Sequence, residues 1–519
     1  MTVGTRFFLR STLNPVSTTP PIVTTVARYS KHVLGGPKTA EVVVTGDERA
    51  LVQMLSWLRY GVELYATSGP RGRNLWWGYI ADAKLQLGSL AIGTSLDRMA
   101  NRIAVAYTVQ DPGTNSQQRR TTSWAENTDS IDSYGIKERL QTLSNATPSQ
   151  AEAARDKLLA AVAASVAQMD GFSDGSGAAQ LTLGLRGWWD VFDWRYVTLS
   201  SEQLRVTYMA EPEDTTLNVG SASTNTKYTQ AFTLPAGSYS YYEIVRGMAK
   251  IVKVGTPSDS LVFELYTDSS GVPGTLLGSW SVSAASVPTS HNKVESVASA
   301  IGQVIPAGAY MLQISRSGAV DASNYYRLTA NTAAGFSGQL RVWNGSAWTT
   351  VSADILFDLT FGSVRTTTDQ IDLIYDTYAQ FMTGIEIVTA SGVYTPTGRS
   401  GDITARKAIE DLLASHSSAG DRLTATVTND RRLVIQPEPE LGDNDYYLTR
   451  EGRLVSRLDA PVLKMDCVAG VWARVKDSVI AGSFPQFIEE AEYTPASDRY
   501  APKARDQRGA FDVVTPEAG

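Results

Sequence analysis

Leu261-Val262-Phe263-Glu264-Leu265-Tyr266 runs into Thr267-Asp268-Ser269-Ser270-Gly271-Val272-Pro273-Gly274, an apolar run that stops at a cluster of turn residues. The same grammar precedes it, where Ile251 to Val254 meets Gly255-Thr256-Pro257-Ser258. Glycine supplies positive φ and proline presets φ at about −65°, so these clusters punctuate strands rich in β-branched and aromatic residues. From Ser221 to Phe361 helical periodicity is almost absent and strand-like runs recur at a spacing of roughly ten residues. That pattern predicts a β-sandwich or jelly roll. Leu234-Pro235-Ala236-Gly237-Ser238-Tyr239 and Ile305-Pro306-Ala307-Gly308-Ala309-Tyr310 nearly repeat each other, each a turn that feeds a Tyr-led strand, but the likeness is too short for a tandem repeat.

Outward from this module the patterning changes. Ahead of it, Ile22–Ala27, Ala40–Val44, Gly61–Tyr65, Leu75–Asp82 and Ile103–Gln110 predict strands, interrupted by one helix after Gly46-Asp47, with Leu51, Met54, Leu55 and Leu58 at helical spacing. Thr147-Pro148-Ser149-Gln150 carries a hydroxyl cap, a proline at the first helical position and a glutamine three residues on. It predicts a helix to about Met169 with Ala151, Ala154, Leu158, Ala161, Val162, Val166 and Met169 on one side. Trp188, Trp189, Phe192, Trp194 and Tyr196 form the densest ring cluster and read as the filling of a sheet wall or a subunit contact. Leu204 to Lys227 reads as a polar linker into the module.

Beyond the module, a helix from Thr366–Gln370 containing Ile371, Leu373, Ile374, Tyr378 and Phe381 is predicted. A second helix over Ile403–Ala414 and paired strands Leu423–Val427 and Arg432–Pro437 follow. The fold class is therefore α+β and β-rich. The expected division is 1–125, an N-terminal β-rich domain; 126–220, a helix-containing segment; 221–361, the inserted sandwich; 362–483, an α+β domain completing the body; and 484–519, an extended C-terminal arm bearing Phe487, Tyr493, Tyr500 and Phe511.

With 519 residues the chain is long enough for about three domains. Its net charge is −7 with no block of Lys or Arg, which argues against sequence-specific nucleic-acid binding. A single cysteine, Cys467, excludes an intrachain disulfide, and His32, His291 and His416 offer no metal-ligand spacing. No phosphate loop is present. The acidic neighbours Glu489-Glu490 and Glu438-Pro439-Glu440 sit too close in sequence to act from opposite walls of a sugar cleft. The expectation is no catalytic residue, no metal and no cofactor. Phe7-Phe8-Leu9 is too short for a signal-peptide core and no run of 18 apolar residues occurs, so the chain is expected to be made in the cytoplasm without a membrane span.

Sugar recognition needs flat aromatic faces with amides and carboxylates beside them. Tyr241, Tyr242, Trp280, Tyr325, Tyr326, Trp343 and Trp348 supply rings, most of which are expected to pack the core. The preferred glycan-binding candidates are Asp321, Asn324, Tyr325, Tyr326, Trp343, Asn344 and Trp348, because their polar and Gly content predicts exposed loops or a hairpin tip.

The Pro-Ser-x-x-Leu strand, the Asp268–Gly274 turn and the Pro-Ala-Gly-x-Tyr strand entries resemble the jelly-roll accessory modules, many carbohydrate-binding, of secreted enzymes and bacteriophage tail proteins. The flanks resemble the tail-hub or baseplate-hub proteins of bacteriophages. The likeness rests on the helix after Gly46-Asp47, the Trp76-Trp77-Gly78 step, Asn101-Arg102-Ile103, and Tyr134-Gly135-Ile136-Lys137-Glu138 ahead of an Ala-rich helix. The resemblance implies a hub body of β-barrel-like domains assembled as a trimer at the virion tail tip. It also implies contacts to tail tube and distal tail proteins and to a central spike or fibre, with the sandwich meeting host-surface glycans. A hexameric distal tail protein with an inserted binding module is the close alternative, and a glycan-active enzyme with an accessory module a more distant one.

Overall fold

The computed structural model describes residues 2–10, 14–16, 21–67, 73–110, 117–172, 178–199, 201–209, 213–290, 292–297, 304–333, 336–388, 393–415, 420–439, 446–449, 454–455, 464–476 and 485–505. The chain is α+β and β-rich and divides into two compact units. The first comprises Met1–Thr198, Thr367–Val393 and Gly401–Gly519, and the second Leu199–Thr366 with Tyr394–Ser400.

The first unit is built on a fourteen-stranded sheet. Its main path runs Pro15–Val16, Val3–Phe8, Gly61–Ala66, Arg73–Leu87, Gln180–Gly187, Gly36–Gly46, Ile22–His32, Pro485–Thr494, Val471–Lys476, Tyr446–Thr449 and Leu454–Val455. Arg102–Gln110 does not join it but starts a separate four-stranded sheet, paired antiparallel with Gln117–Thr121 and Ala125–Glu126 and parallel with Glu138–Leu143. A three-stranded sheet of Gly384–Ile387, Arg432–Pro437 and Leu423–Val427 completes the strands named here. The C-terminal stretch departs from the expected arm. Pro485–Thr494 lies inside the large sheet and Arg499–Ala504 pairs with it, because Phe487, Ile488, Ala491 and Tyr493 are all 3% exposed or less and supply enough apolar surface to hold a strand. Phe511 lies outside the described residues, as do His291 and His416.

Helix α1 (Glu48–Met54) starts where Asp47 Oδ1 accepts from the amides of Arg49 (2.9 Å) and Ala50 (3.4 Å), and it buries Leu51 and Met54. After α2 (Thr128–Tyr134), helix α3 (Pro148–Val162) opens with the expected capping box of Thr147 and Gln150. It stops well short of Met169. Its last carbonyls are taken from outside, that of Val162 by the Ala100 amide at 3.0 Å and that of Ala163 by the Ser130 hydroxyl. Of the predicted stripe within α3 only Ala151 is buried, and Val166 and Met169, beyond the helix, are 63% exposed. Helix α4 (Thr367–Tyr378) buries Ile371 and Ile374, and α5 (Ala405–Leu413), capped by Thr404, buries Ala408, Ile409 and Leu412. The ring cluster forms a short 3-10 helix, Trp188–Trp194, whose Trp188, Trp189, Phe192 and Trp194 are at most 4% exposed.

The second unit is an all-antiparallel β-sandwich. One sheet has the order Gln203–Tyr208, Phe357–Thr366, Tyr241–Val254, Tyr325–Asn331, Thr215–Val219. The other has six strands: Pro273–Val282, Leu261–Asp268, Gly308–Arg316, Lys227–Leu234, Leu340–Trp343, Trp348–Val351. Leu261, Phe263 and Leu265 alternate inward at 0–1% exposure, against a core that includes Ile314, Leu312, Tyr228, Phe232, Phe357 and Phe361. The unit begins at Leu199, so Gln203–Tyr208 and Thr215–Val219 are strands of the sandwich itself and not the polar linker expected there. The strand that enters the unit and the one that leaves it are hydrogen-bonded neighbours, in register from Gln203↔Gly362 to Tyr208↔Phe357. Within the first unit the corresponding ends are also tied. Thr198 donates its amide to Tyr378 Oη and accepts from the same hydroxyl, both at 2.8 Å, and Arg195 Nη1 donates to the Thr377 carbonyl at 2.7 Å.

Two outcomes follow from this arrangement. A fragment cut at Leu199 and Thr366 is expected to fold cooperatively, read as a single sigmoidal urea transition with dispersed amide resonances. Arg316 grips Asp259 through two hydrogen bonds of 2.8 and 2.6 Å, with side chains only 8% and 12% exposed. Removing Asp259 (Asp259→Ala) is expected to cost about 3–5 kcal/mol in urea unfolding of that fragment. Burial pushes the Asp259 carboxyl up, but hydrogen bonds from Arg316 and the Gly318 amide and the Arg316 charge outweigh it, and it ends below the usual carboxylate range. Its contribution is thus present above the ordinary Asp value of about 3.9 and fades as pH falls through the lower folded value.

Candidate functional site

Directly opposed residues of an antiparallel pair project to the same face. On the six-stranded sheet, following the register outward from Gln313 gives Glu264 and then Ser279 on one side, and Thr229, Arg341 and Thr350 on the other. This is one continuous polar rung across all six strands, on the face opposite the core. Two residues along, Trp343 stands opposite Trp348, and Ser315 opposite Val262 and Lys227. Two residues the other way, Tyr266 stands opposite Met311 and Leu276, and Met311 opposite Ala231. A line of hydrogen-bonding groups is therefore bordered by rings and apolar side chains.

The middle of this face is closed off and its flanks are open. Thr229 is 0%, Met311 0% and Gln313 2% exposed, whereas Glu264, Tyr266, Arg341, Trp343 and Trp348 are half-buried and Thr350 and Ser279 exposed. Gln313 Nε2 donates to Glu264, and burial first, then the Glu264 charge, raises the Tyr266 hydroxyl pKa. Arg341 is steadied by Gln339 Oε1, at 2.9 Å from Nη2 and 3.2 Å from Nε. Its guanidinium lies against Gly271, where φ is +85° and an added Cβ would stand 2.6 Å from Nη2, so the turn admits only glycine there. That turn is fixed by the Gly271 amide donating to Asp268 Oδ1 at 2.6 Å. The Thr229 hydroxyl, buried at the centre of the rung, has no hydrogen-bond partner among the described residues.

Trp343 and Trp348 meet edge to face, centroids 5.5 Å apart, on a half-buried hairpin tip at the edge of the sheet. Asn344 builds the tip. Its Oδ1 accepts from the Ser346 amide (3.0 Å), the Ala347 amide (2.8 Å) and the Ser346 hydroxyl (3.0 Å), which leaves its amide NH2 as the free end. Near the same edge a cleft of about 340 Å³ is lined by Thr332, Phe336, Gln339, Thr350, Ser352 and Asp354. Asp354 accepts from Gln230 Nε2 at 3.1 Å and the Phe336 amide at 3.3 Å, and burial raises its pKa.

The sequence candidates separate into two groups that the structure does not bring together. Trp343, Asn344 and Trp348 lie on the edge hairpin. Tyr325 and Tyr326, expected in an exposed loop, belong to a strand of the other sheet, at 8% and 0% exposure. Their rings offer no face to a sugar, because Tyr326 fills the core and hydrogen-bonds the Asp259 carbonyl, while Tyr325 Oη accepts from Arg327 at 2.7 Å. Asp321 is consumed by its own loop and Asn324 by that loop and a second one. Asp321 accepts from the Ser323 amide, the Asn324 amide and Asn324 Nδ2 at 2.8–3.0 Å, and Asn324 Oδ1 accepts from the Thr256 amide at 2.8 Å. Trp280 stacks on Phe263 with centroids 5.6 Å apart, Tyr242 is 0% exposed, and Tyr241, 39% exposed, lies 5.2 Å from Tyr394. Sequence reasoning missed Glu264, Tyr266, Gln313 and Arg341. The strict alternation within Leu261–Tyr266 was the signal that separates outward Glu264 and Tyr266 from inward Phe263 and Leu265.

For cofactor chemistry the described residues offer little. Among them no group of three or more His, Cys, Asp and Glu side chains is placed to hold a metal ion. Cys467 is buried against the Ala491 carbonyl (3.0 Å), which pushes its thiol up to about 12. His32 Nδ1 accepts from the Leu34 amide at 3.0 Å. No helix among the described residues is long and apolar enough to cross a membrane.

Core and face respond differently to substitution. Tyr326→Ala is expected to cost about 3–5 kcal/mol, and Trp348→Ala, at a half-exposed cross-strand pair, about 1 kcal/mol, both by urea unfolding of the full chain. Thr229→Val, which removes an unpartnered buried hydroxyl at constant shape, is expected to raise stability by about 1 kcal/mol in the same assay.

No family model and no curated protein matches the chain. Among solved structures it is similar to the cysteine protease and lectin-like domains of Cwp84, a surface layer associated protein of Clostridium difficile, at 7% identity and TM-score 0.22, over 66% of this chain and 64% of that one. It therefore spans less than two thirds of that protein's chain. It is also similar to infectious bursal disease virus Gx strain, at 8% identity and TM-score 0.17 over 70% of this chain and 76% of that one. The VP2 subviral particle of infectious bursal disease virus follows at 10% identity and TM-score 0.16, over 66% and 80%. Similarities of this size do not assign a shared fold.

Proposed function

We propose that the chain is a structural component of a bacteriophage tail tip, of the tail-hub kind, whose β-sandwich attaches to host-surface glycans. The observation that carries the attachment reading is the outer face of the six-stranded sheet, where the accessible ends of a polar rung are Arg341 and Thr350 beside Trp343 and Trp348 on one flank, and Glu264 and Ser279 beside Tyr266 on the other. Hydroxyls of a sugar find donors and acceptors along the rung, and the apolar faces of its rings find the aromatics. The hub reading is supported by the sequence resemblance of the flanks and by a sandwich whose entry and exit strands are paired, which suits it to interruption of another unit. The unit that carries it acts by holding position, not by catalysis, as a trimer between tail tube and distal tail proteins above and a spike or fibre below. Several copies on one particle make individually weak glycan contacts effectively intramolecular.

Two measurements on the full chain test this. On a glycan array the wild type is expected to bind a definable set of glycans, and Trp343→Ala/Trp348→Ala is expected to lose at least about tenfold in affinity, each aromatic contact contributing about 1 kcal/mol. Absence of binding, or binding indifferent to the double substitution, removes the attachment role. Light scattering is expected to give a trimer; a strictly monomeric chain removes the hub role and a hexamer moves it to a distal tail ring.

A further inference from the structure

One cation on the sheet face makes no ion pair, and this narrows the ligand. In the same sandwich Arg316 is paired with Asp259 and Arg205 with Asp358. Arg341 instead hydrogen-bonds only the neutral Gln339 and makes no ion pair with any described residue. The carboxylates on the same face are otherwise engaged, Glu264 by Gln313 and Asp268 by the Gly271 amide. Glu264 also stands three strands from Arg341, roughly 14 Å at ordinary strand spacing, too far to neutralise it. Lys227, exposed and opposite Ser315, adds a second cation on the face. Trp343 lies two residues from Arg341 on the same strand face, about 7 Å along the strand. A sugar stacked on that ring has its substituents within reach of the guanidinium. Gln339 holds the guanidinium by its Nε–Nη2 edge, which leaves Nη1 without a hydrogen bond to any described residue and the Nη1–Nη2 end as the fork for a ligand.

Building on the glycan-attachment reading, we propose that this face binds an acidic glycan whose anionic group, a sugar carboxylate or a sugar-linked phosphate, pairs with Arg341 while an adjoining ring stacks on Trp343. A neutral glycan would engage the rung and the rings but leave Arg341 without its counter-charge. The guanidinium fork fits a carboxylate or phosphate through two parallel hydrogen bonds, and such charge-assisted pairs are roughly twice as strong as neutral ones.

The test uses the full chain in calorimetric titrations. The probes are glucuronate- and galacturonate-containing oligosaccharides, the same oligosaccharides with their carboxyls reduced to alcohols, and a glycerol-phosphate polymer bearing sugar. At least one acidic probe is expected to bind about tenfold or more tightly than its neutral match. Arg341→Gln is expected to erase that difference by weakening the acidic probe about tenfold more than its neutral match, and Arg341→Lys to restore part of it. The uronate and phosphate arms tell which anion is read. Equal affinity for acidic and reduced probes, or equal losses for both in Arg341→Gln, overturns the proposal and leaves the glycan reading standing. Binding to neutral glycans alone does the same. Binding to no glycan at all, with the variants folded by circular dichroism, removes both.

Discussion

The antiparallel ladder between Gln203–Tyr208 and Phe357–Gly362 is the constraint on which the second unit depends. A sandwich whose first and last strands are neighbours has both ends about 5 Å apart, whatever the length of chain between them. To the unit that carries it, such a domain is a loop with closed ends, and closure entropy grows only with the logarithm of loop length. The ladder is pinned by charge as well. Asp358, 2% exposed on the exit strand and opposite Thr207, is gripped by Arg205 reaching diagonally from the entry strand, with Arg246 at 3.8 Å. A carboxylate so buried is costly without its partners, so the two strands are held in this register and not one residue to either side. Thr198 and Tyr378 do the matching work in the first unit, with two hydrogen bonds across the gap in sequence.

How far the sequence predicts this depends on whether the deciding interaction is local. Asp47, Thr147 and Thr404 cap helices where expected or within two residues of it, because a cap is a hydrogen bond to an amide two or three residues away. Leu423–Val427 and Arg432–Pro437 pair across their own turn. The failures are non-local. Helix α3 ends at Val162 because Ala100 and Ser130, far off in sequence, take its carbonyls, and nothing in the Ala-rich run itself marks that end. Pro485–Thr494 reads as a tail because its composition is polar, yet it finds Ile22–His32 and Val471–Lys476 on either side. Thr215–Val219 reads as a linker for the same reason, and its partner, Tyr325–Asn331, lies more than a hundred residues on.

The polarity of Asp321, Asn324 and Asn344 predicts ligand-facing loops, and the structure instead engages their oxygens. Polar side chains in tight turns are commonly occupied by the turn, since a side-chain oxygen bonding backbone amides is what lets the chain reverse. Asp321 spends its oxygen this way, as does Asn344, and Asn324 gives its oxygen to the Thr256 amide of another turn. Asn344 still marks the site, because the hairpin it closes carries Trp343 and Trp348. Tyr325 and Tyr326 were drawn into the expected loop by the polar residues before them, whereas the strand begins at Tyr325 itself.

A ligand surface made from the outer face of a sheet carries a physical advantage over one made from loops. In Leu261–Tyr266 the residues that fill the core and those that face outward alternate, so the packing that fixes Phe263 and Leu265 also fixes Glu264 and Tyr266. Placement then costs little further conformational entropy when a ligand binds, since the backbone is already ordered by ladders on both sides. The same coupling exposes a tension. Thr229 sits at the centre of the rung with a buried hydroxyl lacking a partner among the described residues, where valine would satisfy packing alone.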